Sequence, residues 1–260
     1  MKIVVCIKQV PSTNEVRLDP ETHAILRDAR QSVINPFDNY AVELAVQLKE
    51  KLGGTVTALS MGIPATERLL RDTESRGADA AMLLSDRAFA GADTLATSYA
   101  LSLGVKKMGG ADLILCGRMA VDGDTAQIGP ELAENLGYHH VTDVSEIIEA
   151  NEEYFVVRRT TDAGSAVVKV QLPALLTVQK DIVMPRLPTI SGIRFSLNAP
   201  FTVCNADEAG ADKNRTGFAG SPTQVVRTFT PENRREAEPI EGTVAEQAAR
   251  VLEIFKEVRA

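Results

Sequence analysis

With 260 residues, 44% of them hydrophobic, the chain is long enough to bury a substantial core, as one large domain or one domain with excursions. Its formal net charge of -7 gives no electrostatic attraction to DNA, RNA or an acidic membrane surface, so nucleic acid is not an expected partner. No run approaches the ~20 apolar residues of a membrane helix, and the three cysteines, Cys6, Cys116 and Cys204, are an odd set far apart with no C-x-x-C spacing, so neither a disulfide framework nor a zinc site is suggested. Such cysteines fit a reducing cytoplasm, and the N-terminal apolar stretch, broken at Lys8, is too short for a signal peptide. The adjacent His139 and His140 lack the i,i+4 spacing with which a helix face holds a metal, and read as surface residues.

The first apolar strand is Ile3 to Ile7. An insertion follows, about 9–37, with alternating pieces Glu15 to Leu18 and Ala24 to Arg27 around Asp19-Pro20; it reads as a β-hairpin arm. The helix after Asp38 places Ala41, Leu44, Ala45 and Leu48 on one face. Next come a strand Val56 to Met61, a helix through Ala65, Leu69 and Leu70 ending near Gly77, and a strand Ala80 to Leu84. A third helix begins at Asp93, a capping residue, and carries Leu95, Tyr99, Leu101 and Leu103; the strand Leu113 to Cys116 follows. This alternation predicts an α/β fold with a doubly wound, mostly parallel sheet. Right-handed crossovers then put ligands beyond the carboxyl ends of the strands, where the loops after Ile7, Met61 and Cys116 lie.

The loop Gly117 to Ile128 leaves a buried strand and runs into a helix through Leu132, Ala133 and Leu136 that stops at Gly137. Gly117 and Gly123 let the backbone turn tightly and approach a ligand, and Asp124 or Thr125 can cap the helix. The free amides and positive dipole end there favour an anion such as a pyrophosphate. Asp122 and Asp124 oppose this unless they face ribose hydroxyls or water. Neither G-x-G-x-x-G nor a Walker loop occurs, and no Ser-His-Asp order or G-x-S-x-G elbow supports a hydrolase.

After His140 the pattern changes to antiparallel pieces, Phe155 to Thr160, Ala166 to Gln171 and then Ala174 to Val178, which extend the sheet. Met184 to Ile190 is an exposed segment bracketed by Pro185 and Pro188. Thr243-x-x-Glu246 forms a capping box ahead of Val244, Ala248, Val251, Leu252, Phe255 and Val258, a stripe at helical spacing. These readings divide the chain into a nucleotide-binding domain, 1–200, and a C-terminal extension, 201–260, whose amphipathic helix needs a surface to bury against, its own domain or, as the sharper candidate, a partner subunit.

Five segments in order resemble the β-subunit family of electron transfer flavoproteins: K-I-V-V-C-I-K-Q-V-P at the start, I-N-P-F-D at the first helix, A-L-S-M-G after the second strand, D-G-D-T-A-Q-I-G-P-E-L-A-E-N-L-G, and L-P-A-L-L-T-V. The resemblance spans nearly the whole chain. It implies an adenine-nucleotide α-hydrolase, Rossmann-like fold and a heterodimer with an α subunit. This subunit then binds an adenine nucleotide through residues near Cys6, Asn35, Asp38 and Met61, and through Gly117, Arg118, Val121, Asp122, Gly123, Asp124, Thr125, Ala126, Gln127 and Ile128. In housekeeping members that nucleotide is AMP, and the single FAD is held mainly by the other subunit. In electron-bifurcating members a second FAD takes its place, accepts a hydride from NADH, and divides the electrons between a low-potential and a high-potential acceptor.

Three local features resemble the bifurcating branch. The run L-S-D-R-A-F-A-G-A-D-T-L-A-T-S holds Asp93, Thr94 and Thr97, whose hydroxyls at i,i+3 share one helix face. Small Ala126 followed by Ile128 leaves room beside a phosphate, and Gly220 to Val225 with the tail resembles an extension of that branch. The resemblance therefore implies FAD here, NADH as reductant, and ferredoxin or flavodoxin as the low-potential carrier. The second branch runs through the α-subunit FAD to a flavoprotein dehydrogenase such as an acyl-CoA dehydrogenase. Its alternative is AMP with single-electron shuttling from acyl-CoA dehydrogenases; a further alternative is a nucleotide-sensing module of universal-stress-protein type. Met184 to Ile190, extended to about 196, resembles the loop that anchors partner dehydrogenases, with Leu187 at the anchor position. Ala163, Ala166 and the turn Tyr138-His139-His140 depart from the family pattern. No residue is expected to act as acid, base or nucleophile.

Overall fold

Strand β1 (Lys2–Cys6) shows why this sequence builds a two-faced sheet. Ile3 and Val5 join an apolar cluster with Ala41, Leu44, Leu69 and Leu70 on one face, while Val4 and Cys6 join Leu101, Val105, Leu132 and Ala133 on the other. Alternate side chains point to opposite faces, so a strand covered on both must be apolar throughout. The computed structural model describes residues 1–12, 32–226 and 239–259.

Helices α1 (Pro36–Leu52) and α2 (Glu67–Ser75) supply the first cluster; α3 (Thr94–Lys107) and α4 (Ile128–Leu136) supply the second. Asp93 caps α3 by accepting from the Ala96 amide at 3.1 Å, and Gly137 ends α4 in the left-handed conformation, as the sequence predicts.

Beside β1 lie β4 (Thr55–Met61) on one side and β6 (Leu113–Gly117) on the other, both parallel to it. β5 (Ala80–Leu84) follows β4. The chain thus winds outward from β1 in one direction, then crosses to the other side, and strand order reverses between β1 and β6. That reversal opens a crevice at their carboxyl ends.

Two readings need correction. β10 (Ala174–Val178) is not an antiparallel extension: it runs parallel between β6 and β7 (His139–Ala150), in the sheet interior. Within this nine-stranded sheet β7, β8 (Tyr154–Thr161) and β9 (Gly164–Gln171) are the strands that pair antiparallel. All five residues of β10 are buried, and an apolar run carries no mark of its direction. Likewise the first compact unit does not end at 200. β11 (Phe201–Cys204) adds to β5 at the far edge, and the unit extends to Val226.

Of the arm, β2 (Gln9–Pro11) pairs antiparallel with β3 (Ser32–Ile34); the pieces Glu15 to Leu18 and Ala24 to Arg27 lie outside the described residues. A second unit, Arg227–Ala260, contains α6 (Val244–Arg259). Its capping box is formed: Glu246 accepts from the Thr243 amide at 2.7 Å, and Thr243 Oγ1 accepts from the Glu246 amide at 3.4 Å. Val244, Leu252, Phe255 and Val258 are exposed.

Candidate functional site

The crevice is organised from beneath by two buried polar side chains. Asn35, the residue before α1, donates through Nδ2 to Asp38 Oδ1 and to the Met119 carbonyl, each at 2.9 Å. Its Oδ1 accepts from the Val121 amide at 3.1 Å. Asp38 accepts the Lys8 amide at 2.7 Å and the Gly117 amide. Burial pushes the Asp38 carboxyl from 3.8 up to about 7, although Asn35, the two amides and the Lys8 charge all pull it down. Both side chains are spent inside the fold, fastening the entry of α1 to β1 and to the loop after β6.

Gly117 is required for close approach. A Cβ there would lie 2.3 Å from Asp38 Oδ1 and 2.8 Å from the Phe37 carbonyl carbon. Gly123 differs from the expectation, since a Cβ there meets nothing within 4 Å and its φ is not positive. The unusual backbone lies just beyond it, at Asp124 with φ 49 and Ala126 with φ 55. Non-glycine residues occupy this region at a cost, and left-handed residues in a turn can gather successive amides into a concavity suited to an anion; the Asp124 amide is not among them, since it donates to the Ala120 carbonyl at 2.8 Å. Helix α4 opens directly afterwards at Gln127, with no side-chain cap. The expected cap by Asp124 or Thr125 is therefore not formed, because both belong to the turn that precedes the helix start. The first amides of α4, from Ile128, have no partners within the helix.

Two ion pairs flank the loop. Lys8 Nζ meets Asp122 Oδ1 at 2.6 Å, which neutralises one of the two acids that opposed an anion site. Arg118 reaches Asp143 at 2.8 Å, while its amide donates to the Val178 carbonyl at 2.9 Å. On the facing wall Thr94 Oγ1 lies 3.2 Å from Gln127 Oε1 and 3.1 Å from Glu131 Oε1, so the start of α3 touches the start of α4. Thr97, one turn on, is half-buried. Burial raises the Glu131 carboxyl, against the Thr94 hydrogen bond. Asp93 also holds Thr223, whose amide and hydroxyl donate to Oδ2 at 3.0 and 2.7 Å.

Cys6 and Cys116 stand opposite each other in register at the strand ends, and contact with the Cys6 thiol, with burial, pushes the Cys116 thiol well above its usual range. Met61 ends β4 on the same edge. Thus Cys6, Asn35, Asp38, Gly117, Arg118, Val121 and Asp122 converge at the crevice, and Thr94 and Gln127 meet on its facing wall. Lys8, Glu131 and Thr223 were not singled out from the sequence. Lys8 stands in the K-Q-V-P segment, but only the fold reveals its partner.

The segment after β10 is exposed and apolar. Met184, Leu187 and Ile190 are 86%, 83% and 82% exposed, so Leu187 projects together with two apolar neighbours. Ile190 opens the short helix α5 (Ile190–Ser196), capped by Thr189 Oγ1, which accepts from the Gly192 amide at 2.9 Å.

Among the described residues no group of three or more His, Cys, Asp or Glu side chains could hold a metal, and no helix is long and apolar enough to cross a membrane. A family model described as "Electron transfer flavoprotein domain" matches residues 22–209. An "Electron transfer flavoprotein subunit beta" from Thermoanaerobacterium thermosaccharolyticum is 45% identical, covering 97% of each chain. Its namesake from Clostridium acetobutylicum is 43% identical, covering 99% of this chain and 98% of that one. The "Caffeyl-CoA reductase-Etf complex subunit CarD" of Acetobacterium woodii is 43% identical over 96% of this chain and 95% of its own.

Proposed function

Since this chain belongs to the electron transfer flavoprotein family, as a β subunit, we propose that its loop 117–128 holds FAD in a bifurcating complex with an α subunit. In this reading the complex works in the cytoplasm and oxidises NADH. It passes electrons to ferredoxin or flavodoxin and, through the α-subunit FAD, to a flavoprotein dehydrogenase such as an acyl-CoA dehydrogenase. The observation that carries the reading is the turn at Asp124 and Ala126, two left-handed residues placed before the amides of α4 at the strand-order reversal. Such a turn fits a diphosphate.

When bound, the flavin supplies the hydride-accepting and electron-dividing chemistry. The chain supplies shape and charge. Backbone amides of 125–128 hold the diphosphate, while Thr94 and Thr97 present hydroxyls to a ribityl chain. Asn35 and Asp38 keep the loop in place, and the Lys8 and Asp122 pair bounds it on one side. Arg118, ion-paired with Asp143, stands at the loop's start. The segment 184–196 docks the dehydrogenase, and α6 buries its apolar stripe on the α subunit.

The experiment is to denature the purified heterodimer and quantify FAD and AMP by chromatography. Two FAD and no AMP per heterodimer supports the reading. One FAD with one AMP replaces it with the single-electron shuttle.

A further inference from the structure

The exposed apolar segment 184–190 is held in place by a double clamp. The Arg186 amide and Nε both donate to Glu43 Oε2, at 3.0 and 2.9 Å, and Nη2 donates to Glu43 Oε1 at 3.0 Å. The same guanidinium donates to both oxygens of Glu50, at 2.6 and 3.0 Å. Glu43 and Glu50 stand two turns apart on α1, so one planar group spans one helix face. Glu43 is buried, and Gln47 donates to its Oε1 at 2.7 Å. Burial alone would push the Glu43 carboxyl up; the Arg186 hydrogen bonds outweigh this and hold it below its usual range.

The far end of the segment is fixed as well. Arg71 Nη1 donates to the carbonyls of Ser196 and Ala199 at 3.1 and 2.9 Å. Gly192 packs so closely that a Cβ would lie 2.0 Å from the Ser75 carbonyl oxygen. Leu187 and Ile190 stand between these ties and Met184 just before the first, all three largely exposed. An apolar surface that is already ordered loses little entropy when a partner covers it.

We propose that Arg186 is a positioning residue for docking: clamped between Glu43 and Glu50, it pre-orders Met184, Leu187 and Ile190 for a flavoprotein dehydrogenase. It sets the affinity of the encounter and takes no part in electron transfer itself. The inference rests on the docking role given to this segment above, and the variants below separate the two.

The test uses the heterodimer with butyryl-CoA dehydrogenase and butyryl-CoA as probe. Because Arg186→Gln alone strands a buried carboxylate, the double variant R186Q/E43Q is measured beside it. Amide hydrogen exchange over 184–193 reports order, and steady-state electron transfer reports KM for the flavoprotein against kcat. With the clamp removed, exchange accelerates and KM rises, each by about tenfold, while kcat stays within about twofold. Arg186→Lys falls between, since an ammonium cannot serve two carboxylates bidentately. L187A/I190A raises KM without changing exchange at Arg186. Unchanged exchange or unchanged KM in R186Q/E43Q overturns the role of Arg186. If L187A/I190A also leaves KM unchanged, the docking role of the segment falls with it.

Discussion

The side-chain oxygen of Asn35 accepts the backbone amide of Val121 at 3.1 Å, joining the entry of α1 to a loop 86 residues away. The same side chain also holds Met119 and Asp38, so three polar contacts rest on one buried amide. Asn35→Ala leaves those partners unpaired and is expected to cost about 1–3 kcal/mol of stability. The freed loop then loses nucleotide about tenfold more readily, since ordering it is charged to binding. Thermal unfolding and nucleotide release on dilution of the heterodimer measure the two effects.

The two loop glycines separate cleanly. Gly117→Ala drives a methyl into Asp38 and the Phe37 backbone and should destabilise by about 1–3 kcal/mol or more. Gly123→Ala meets open space and should stay within about 0.5 kcal/mol of the parent. Paired denaturant titrations of the two variants check this; equal losses would contradict the backbone contact at Gly117.

Asp38 predicts the sign of a pH effect. Its carboxyl titrates near 7 in the folded protein against 3.8 for the ordinary group, so between these values the folded state holds a proton that the unfolded state has released. Stability from this group is therefore present below the lower value and declines as pH rises toward 7. Asp38→Asn, neutral throughout, should flatten that part of the stability curve between pH 4 and pH 7. Urea unfolding at stepped pH compares the two proteins, and identical slopes would refute the assignment.

Helix α6 offers a fourth expectation. Leu252 and Phe255 lie one turn apart and are exposed. Replacing both by Asp should weaken the heterodimer about tenfold or more while helical content is retained. Sedimentation at graded dilution reads the affinity, and unchanged dissociation would remove the α subunit as the occupant of this stripe.

Much of the architecture was legible before any coordinates. The βα alternation through Cys116 is written in short apolar runs, and Asp93, Gly137 and the Thr243 to Glu246 box mark helix ends locally. β10 misled because a strand buried on both faces reads alike in either direction. At α4 the local pattern offered Asp124 and Thr125 as caps, and the left-handed turn at Asp124 and Ala126 won instead. Leu187 stands out by its place between two prolines, and the fold adds that Met184 and Ile190 project beside it.

The sequence by itself determined the family, the order of the βα units and the place of the loop, because these depend on residue type and spacing along the chain. Only the tertiary structure decided which side chains hold that loop. Lys8 with Asp122, Asn35 with Val121 and Arg186 with Glu43 are far apart in sequence. They become partners once β6 crosses to the far side of β1 and α1 packs against the sheet, and that register is a property of the packed layers rather than of any local pattern.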